Sequence, residues 1–320
     1  MICLGIESTA HTFGIGIVQN KTVIANEKKS YQPEKGGLHP RKTAEHHAEV
    51  CGEVLEKAIN KSGIRIEEID LIAFSQGPGL PPCLKIGAVF ARTLAKKLGK
   101  PLIGVNHCVA HLEIGKLFTN AKDPVLLYAS GANTQVIALE SGKYRVFGET
   151  IDVGVGNMLD TFGRNKGLSF PAGPEIERLA KKGEKYVELP YTVKGMDLAF
   201  GGILTQAERV KEKMENVCHS LQETVFAMLI EVSERAMSHT QKKELILGGG
   251  VAANKRLNDM CKIMCEERGA KFYTVPKQYC VDNAAMIAWT GLKMHKSGVK
   301  TPDTRIIRNY RTDMVKITWK

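Results

Sequence analysis

The stretches LGIESTAHTFGIGIV (residues 4–18) and LLYASGANTQVIALE (residues 126–140) decide the fold. Each is typical of an apolar strand, a turn of small polar residues and a returning apolar strand. Because strands and helices follow both stretches in the same order, the sequence indicates an internal duplication. We expect two α/β halves that face one another across a cleft, with both polar turns at its floor.

Hydrophobic periodicity predicts a three-stranded meander at the start of each half, followed by alternating strands and helices. The expected strands are 2–6, 13–18, 22–26, 70–74, 102–105, 125–129, 134–139, 144–149, 244–248 and 271–275. The expected helices are 41–60, 84–98, 107–118, 157–166, 174–182, helices within 203–239, 253–267 and 283–295. Asp123 precedes Pro124, which disfavours helix there. We therefore expect lobes at 1–123 and 124–295, and a basic segment at 296–320 that packs back on the first lobe.

The composition is that of a folded protein with more than one domain. The chain has 320 residues, of which 43% are hydrophobic and 25% charged, and no stretch approaches the ~18 apolar residues of a membrane span. An apolar strand-like run follows Met1 without a secretory signal, so we expect a cytoplasmic protein without membrane association. The eight cysteines are expected to be reduced core thiols; Cys261 and Cys265 share a helix face but have no second ligand pair nearby.

The charge distribution favours a polyanionic partner. The formal net charge is +11, and residues 292–320 carry eight Lys or Arg, Lys320 included, against two Asp. Basic side chains gain affinity by releasing counterions from phosphates, so Arg305, Arg308 and Arg311 are candidate nucleic-acid contacts. An ordinary solvated terminus is the alternative.

Glycine-rich loops in the second half indicate a nucleotide or adenylate site. The glycines concerned are Gly131, Gly154, Gly156, Gly173 and Gly248–Gly250. Such loops bring backbone N–H groups close to phosphates, and the GGGVAAN loop is followed by a helix whose N-terminus adds a positive dipole. Tight turns are the alternative. The lysine loop of P-loop proteins and a dinucleotide fingerprint are both missing from the sequence.

Two histidines and one aspartate form a candidate metal site. His107 and His111 lie four residues apart on a predicted helix, so their side chains share a face. Asp282, before an apolar helix, is a suitable third ligand. The alternatives are hydrogen-bonded histidines at a helix capped by Asn106, and an aspartate that acts as an N-cap.

Other polar residues near the predicted turns have weaker signals. His46 and His47 are adjacent, point to different helix faces and are expected to be structural or surface residues. Glu7 lies on the first hairpin turn, where it could support a bound water or Mg²⁺, or a hydrogen-bonded turn.

Eight motifs together resemble a known family over nearly the whole chain. They are GIESTAHT (5–12), SQGPGL (75–80), NHCVAH (106–111), YASGANTQV (128–136), DVGVGN (152–157), AGPEIE (172–177), GGGVAAN (248–254) and DNAAMIA (282–288). In this order they resemble the tRNA N6-adenosine threonylcarbamoyltransferase family. Its member in the KEOPS complex is the catalytic subunit, earlier labelled an O-sialoglycoprotein endopeptidase.

The resemblance implies an α/β fold with duplicated ribonuclease-H-like lobes around a cleft, as in actin, Hsp70 and sugar kinases. It implies one iron or zinc ion held by His107, His111, Tyr128 and Asp282. It also implies an adenine nucleotide, ATP or threonylcarbamoyl-AMP, with Mg²⁺ as a further candidate ion. The implied substrate-binding residues are Tyr128, Ala129, Ser130, Gly131, Ala132, Asp160, Gly173, Glu177 and Asn254.

The sequence departs from the family pattern at three positions. Ala132 stands where a second glycine is usual, Ala172 precedes Gly173 where Gly-Gly-Pro is usual, and Gly201 replaces a serine. If residue 132 requires a left-handed backbone, alanine costs about 1 to 2 kcal/mol there.

The implied reaction transfers a threonylcarbamoyl group from threonylcarbamoyl-AMP to N6 of adenosine 37 in tRNA. The sequence identifies no catalytic general base. Implied partners are tRNA, a small protein-kinase-like subunit, which some relatives carry fused at the C-terminus, and small accessory subunits. The alternative function is an ATPase or small-molecule kinase of the same fold. A zinc metalloprotease is disfavoured because Cys108 stands where H-E-x-x-H has its glutamate, and a non-catalytic scaffold would not need the polar loops.

Overall fold

The computed structural model of the protein describes residues 1–32 and 38–319, so Lys320 of the basic tail lies outside the described residues. The strands in chain order are β1 (Ile2–Glu7), β2 (Thr12–Gln19), β3 (Thr22–Ser30), β4 (Leu71–Gly77), β5 (Leu102–Asn106), β6 (Val125–Ala129), β7 (Thr134–Glu140), β8 (Lys143–Glu149), β9 (Val193–Lys194), β10 (Asp197–Leu198), β11 (Glu244–Gly248) and β12 (Lys271–Thr274). The helices are α1 (Pro40–Ser62), α2 (Pro81–Leu98), α3 (His107–Phe118), α4 (Val155–Asn165), α5 (Gly173–Ala180), α6 (Gly201–Arg209), α7 (Met214–Thr240), α8 (Lys255–Glu267), α9 (Lys277–Cys280) and α10 (Ala284–Lys296).

The two larger sheets have the same strand order, which confirms the duplication. The first sheet is β3-β2-β1-β4-β5, and the second, written in the same sense, is β8-β7-β6-β11-β12. In both, the first strand of the meander pairs antiparallel with the second and parallel with the strand that returns from a helix. Apolar strands such as β1 and β6 are buried along their whole length, as expected for the centre of a sheet that is covered on both faces.

The chain forms two compact units that differ from the expected lobes at their boundaries. The first comprises the described residues of Met1–Phe118, Gly142–Tyr144 and Asp282–Lys320, and the second comprises Thr119–Ser141 and Arg145–Val281. The assignment of 282–295 to the second lobe was therefore wrong. Helix α10 packs on β1, β2 and β4 of the first unit.

Three glycines explain why α10 packs on the first sheet. A Cβ atom added to Gly5 or Gly16 would lie less than 3.0 Å from the backbone of α10, and one added to Gly291 would lie as close to the Ala73 side chain. Real Cβ atoms do not come so close, so glycine in β1 and β2 is what admits the helix backbone. The periodicity of α10 predicts a buried helix but does not tell which sheet buries it.

The segment after α10 runs along the first unit and is held by the SQGPGL motif. The Gln76 side chain donates to the backbone oxygens of Asp303 and Arg305, at 2.8 and 2.9 Å. The Ile307 N–H donates in return to the backbone oxygen of Gln76 at 2.8 Å. Gly77 has a φ of 151°, and a Cβ there would collide with Ile307. The motif therefore requires glycine for the close approach of the C-terminal segment.

Remaining differences from the expected elements are local. The helical region 203–239 consists of α6 and α7, separated by a short connection, and the small β9–β10 ribbon and α9 had no predicted counterpart. Among the described residues, no helix is long and apolar enough to span a membrane.

Candidate metal centre and nucleotide-binding loops

Three of the four predicted metal ligands, His107, His111 and Asp282, converge in the first unit, whereas Tyr128 belongs to the second unit. The Nε2 atoms of His107 and His111 each lie 3.4 Å from Asp282 Oδ1, and one ligand atom from each residue falls within 4.8 Å of the others. Asn106 caps α3 by accepting from the Val109 N–H at 3.0 Å, as the alternative interpretation had it. Asp282 is not an N-cap: Asn283 accepts from the Met286 N–H at 3.1 Å and caps α10. The Asp282 carboxylate therefore contacts the two histidines.

A carboxylate behind His107 fixes the orientation of its ring. Glu7, fully buried at the end of β1, lies with Oε2 3.0 Å from His107 Nδ1. Its other oxygen accepts from the Thr9 N–H and hydroxyl, at 2.7 and 2.5 Å. A proton on Nδ1 that is donated to Glu7 leaves the Nε2 lone pair available to a metal, as in the carboxylate–histidine pairs of metal sites. The sequence interpretation of Glu7 was a bound water, Mg²⁺ or a hydrogen-bonded turn, and it did not include His107, which lies 100 positions away.

The electrostatics of the cluster favour a negatively charged Asp282 and a neutral His111. Burial would raise the pKa of Asp282, but the charge and hydrogen bonds of His107 and His111 hold this pKa well below its usual value. Burial lowers the pKa of His111, against the opposing hydrogen bond of Asp282. A carboxylate with two neutral imidazoles is the protonation state that binds a cation.

The donor set fits a transition metal. Two imidazole nitrogens and one carboxylate oxygen suit zinc or non-haem iron, and three protein ligands leave coordination positions for a substrate. Among the described residues, no other group of three or more His, Cys, Asp or Glu could hold a metal ion. Burial raises the pKa of both Cys261 and Cys265, and these thiols form no such group. His47 is buried, with Nε2 2.9 Å from the Ala10 oxygen, and has a structural role.

In the second unit, the turn after β6 is built by close backbone packing. The turn closes with a hydrogen bond from the Ser130 N–H to the backbone oxygen of Asn133 at 2.9 Å. Gly156 at the start of α4 donates to the Ser130 oxygen at 3.0 Å, and a Cβ at Gly154 or Gly156 would lie less than 3.0 Å from this turn. The glycines of DVGVGN are therefore needed to bring the two loops together. Tyr128, buried at the end of β6, and Ala129 precede the turn.

The GGGVAAN loop packs on the same turn. Gly249 has a φ of 91°, and a Cβ there would lie less than 3.0 Å from the Ala129 backbone. Ala132 is exposed and its φ is not positive. The cost of about 1 to 2 kcal/mol for an alanine in the left-handed conformation therefore does not arise at this position. Alanine is accommodated there because the turn does not require the left-handed conformation at residue 132.

Asp160, Glu177 and Asn254 are tied to neighbouring backbone groups. Asp160 accepts from the Ala172 N–H at 2.8 Å, next to Gly173. Glu177 accepts from the Lys255 N–H at 3.3 Å, at the start of α8.

Asn254 is the N-cap of α8. It accepts from the Leu257 N–H at 3.2 Å and donates to Gln222 Oε1 at 2.9 Å. One amide hydrogen of Asn254 is not used in these bonds. No motif in the sequence indicated Gln222, which approaches from α7.

The two other departures from the family pattern also have local explanations. The methyl group of Ala172 is buried against Gly163, whose missing side chain leaves the space. The N–H of Gly201 donates to Asp152 Oδ2 at 2.7 Å, and an added Cβ would lie 3.0 Å from the same oxygen, so glycine leaves room for this carboxylate at the N-terminus of α6.

The fold and the site define a class: two α/β units with duplicated sheets, as in actin, Hsp70 and sugar kinases, with a His–His–carboxylate cluster in one unit. Solved structures of this fold are similar. HypF from T. kodakarensis has a TM-score of 0.68 at 13% identity over 96% of this chain and 49% of its own. A ROK hexokinase from Thermus thermophilus has a TM-score of 0.55 at 15% identity over 93% of this chain and all of its own.

Sequence comparison then identifies the family. Residues 21–289 match the profile of the tRNA N6-adenosine threonylcarbamoyltransferases. The chain is 57% identical to the protein of that name from Thermococcus kodakarensis, over the full length of both. It is 56% identical to a probable bifunctional tRNA threonylcarbamoyladenosine biosynthesis protein from Methanocaldococcus jannaschii, of which it spans 60%. The chain belongs to the tRNA N6-adenosine threonylcarbamoyltransferase family, which confirms the resemblance in its motifs.

Proposed function

We propose that this protein transfers the threonylcarbamoyl group of threonylcarbamoyl-AMP to N6 of adenosine 37, in tRNAs that read codons beginning with adenine. The observation that carries the proposal is the cluster of His107, His111 and Asp282, supported by Glu7, in a chain of this family. The attacking amine displaces AMP at the carbamoyl carbon, so the protein must hold the adenylate, fix the acyl group and position the tRNA.

One iron or zinc ion is proposed at the His–His–Asp cluster, with Tyr128 as a fourth ligand. When bound, this ion supplies a Lewis acid and a template for the threonylcarbamoyl end of the substrate. The three clustered residues provide neutral nitrogen donors and one anionic oxygen, and Glu7 keeps the His107 ring in one orientation.

The loops of the second unit are proposed to hold the adenylate. The turn Ala129–Ala132 offers backbone groups that glycine packing fixes in position, and a Cβ at Gly173 would meet no atom within 4 Å, so its backbone is accessible to a ligand. Asp160, Glu177 and Asn254 anchor the helix ends around this region. Their remaining hydrogen-bonding capacity suits a ribose and an adenine.

The C-terminal segment is proposed to contact tRNA, chiefly through Arg308. Arg305 is paired with Asp303 at 2.7 Å and Arg311 with Asp313 at 3.2 Å, which offsets their charges locally. Arg308 is exposed and has no ion-pair partner among the described residues. Neutralising all three arginines should lower tRNA affinity and flatten its salt dependence, and Arg308→Gln alone should reduce the salt slope by about 1.

Arg41→Gln is the matched control for this experiment, because it removes the same charge from an exposed ion pair on α1. If Arg41→Gln and the triple variant have the same salt slope as the wild type, the tail does not contact tRNA.

Partner proteins and location are also proposals. The name of the M. jannaschii relative indicates a second function in its additional length. This supports a kinase-type partner subunit, together with small accessory subunits. All eight cysteines are free thiols, as is usual in the reducing cytoplasm, which is the proposed compartment.

The first experiment measures metal content and threonine incorporation together. Wild type, His107→Ala/His111→Ala and the control His39→Ala are analysed by mass spectrometry and assayed for transfer of labelled threonine to tRNA, with partners and an adenylate-forming enzyme supplied. His39 is exposed and its side chain makes no cap hydrogen bond. We expect one metal ion per chain and full incorporation in wild type and His39→Ala, and loss of both in the double variant. A fully active double variant would refute the mechanism, and phosphorylation of a small molecule without transfer to tRNA would favour the alternative kinase function.

A further inference from the structure

A buried carboxylate on α3, the helix that carries the two histidines, accepts hydrogen bonds from residues of the first unit that are distant in sequence. Glu113 on α3 is fully buried. Its Oε1 accepts from the Tyr144 hydroxyl at 2.5 Å and from Trp319 Nε1 at 3.0 Å, and its Oε2 accepts from Lys293 Nζ at 2.7 Å. Its backbone oxygen accepts from Trp289 Nε1 at 3.0 Å. Both tryptophans of the chain thus donate to one residue.

The segment that ends at Trp319 follows α3 from its first turn. The Asn106 side chain, which caps α3, donates to the Tyr310 oxygen at 2.9 Å. Thr312 is buried, and its side chain lowers the pKa of the Cys108 thiol against the larger, opposite effect of burial. Trp319 reaches Glu113 one and a half turns further along the helix. Residues 310–319, which we call the C-terminal splint, therefore contact α3 at its start, its first turn and its middle.

Glu113 and the metal ligands lie on opposite faces of α3. At about 100° per residue, His107 and His111 point in nearly the same direction, and Glu113 points about 200° away from His111. Glu113 therefore cannot be a ligand of the same ion. Because α3 has only 12 residues, it depends on tertiary contacts of this kind for its stability.

We propose that Glu113 is a positioning residue for the metal site, and that the C-terminal splint holds the two histidines in register by anchoring α3 through Glu113 and Asn106. The inference rests on the metal site proposed above. It gives the C-terminal segment a role in metal affinity that is separate from its basic charge.

The test compares Zn²⁺ affinity in Trp319→Phe, Glu113→Gln and the double variant, by competition with a chromophoric chelator. Trp319→Phe keeps the aromatic ring but removes the donor, so it should fold. We expect about tenfold weaker Zn²⁺ binding in each single variant, as for outer partners of metal ligands. Because the two side chains form one hydrogen bond, Zn²⁺ binding in the double variant should be weakened by much less than about a hundredfold. Met314→Ala is the control, because Met314 lies in the same segment but is 61% exposed.

Hydrogen exchange of the α3 amides in metal-free protein separates this proposal from the metal site itself. We expect faster exchange in Trp319→Phe and Glu113→Gln than in wild type and Met314→Ala, with β11 of the second unit unchanged. Unaltered α3 exchange together with unaltered Zn²⁺ affinity in Trp319→Phe would overturn the proposal. If the wild type binds no Zn²⁺ but the variants exchange faster in α3 as expected, the proposed metal site is wrong, whereas the anchoring of α3 by the splint is supported.

Discussion

Substitution of Gly16 by alanine should destabilise the first unit and weaken its metal site. The added methyl group would lie less than 3.0 Å from the backbone of Ala284 and Ala285, where 3.4–4 Å is ordinary contact. The obstacle is helix backbone rather than a flexible side chain, so α10 must move. Overpacking of this kind costs about 1 to 3 kcal/mol, and we expect a value of about 2 kcal/mol or more. Asp282 directly precedes Asn283, the N-cap of α10, so its carboxylate should shift and Zn²⁺ affinity should fall.

Guanidinium denaturation followed by tryptophan fluorescence measures this loss, because Trp289 and Trp319 both belong to the first unit. Gly52→Ala is the control. Gly52 is exposed inside α1 and an added Cβ would meet no atom within 4 Å, so alanine should stabilise this helix by about 0.5 to 1 kcal/mol. A Gly16→Ala midpoint equal to that of wild type, with unchanged Zn²⁺ affinity, would contradict the close packing of α10 on β2.

Two further predictions concern other parts of the chain. Burial lowers the pKa of His47 to about 4, against 6.5 unfolded, so its contribution to stability is complete above pH 6.5 and is lost as pH falls towards 4. The contribution of His47 amounts to about 3 kcal/mol. Between pH 7 and 4.5, the denaturation midpoint of His47→Gln should therefore fall less than that of the wild type. Equal pH profiles of the two proteins would contradict this contribution. Gly249→Ala should abolish saturable binding of an adenylate analogue, because its Cβ would collide with Ala129, whereas Gly52→Ala, outside these loops on α1 and with nothing within 4 Å, should retain binding in the same titration.

Local features that follow from the duplicated hairpins and from side-chain periodicity were predictable from the sequence. The duplicated hairpins gave the strands of both meanders, and β6 and β11 have the expected bounds of 125–129 and 244–248. The helical spacing of His107 and His111 placed both side chains on one face of α3. These predictions succeed because the period of side chains along a strand or helix is a property of adjacent residues.

Contacts between distant residues were not predictable from such periods. Nothing in the sequence near Glu7 indicates His107, and nothing near Glu113 indicates Trp319, 206 positions later. Asp282 and Asn283 are both good N-cap residues, and only the structure shows that Asn283 takes the cap and Asp282 faces the histidines.

The sequence by itself determined the duplicated α/β fold, the family and the two helix histidines of the candidate metal site. Only the tertiary structure decided that α10 belongs with the first sheet, whereas the packing of the C-terminal segment on the first lobe was already expected. The physical reason is that burial of an apolar helix is favourable on any complementary surface, whereas the choice of surface depends on close backbone approach. Here, Gly5, Gly16 and Gly77 permit that approach, and a glycine's neighbours in space cannot be read from its neighbours in the chain.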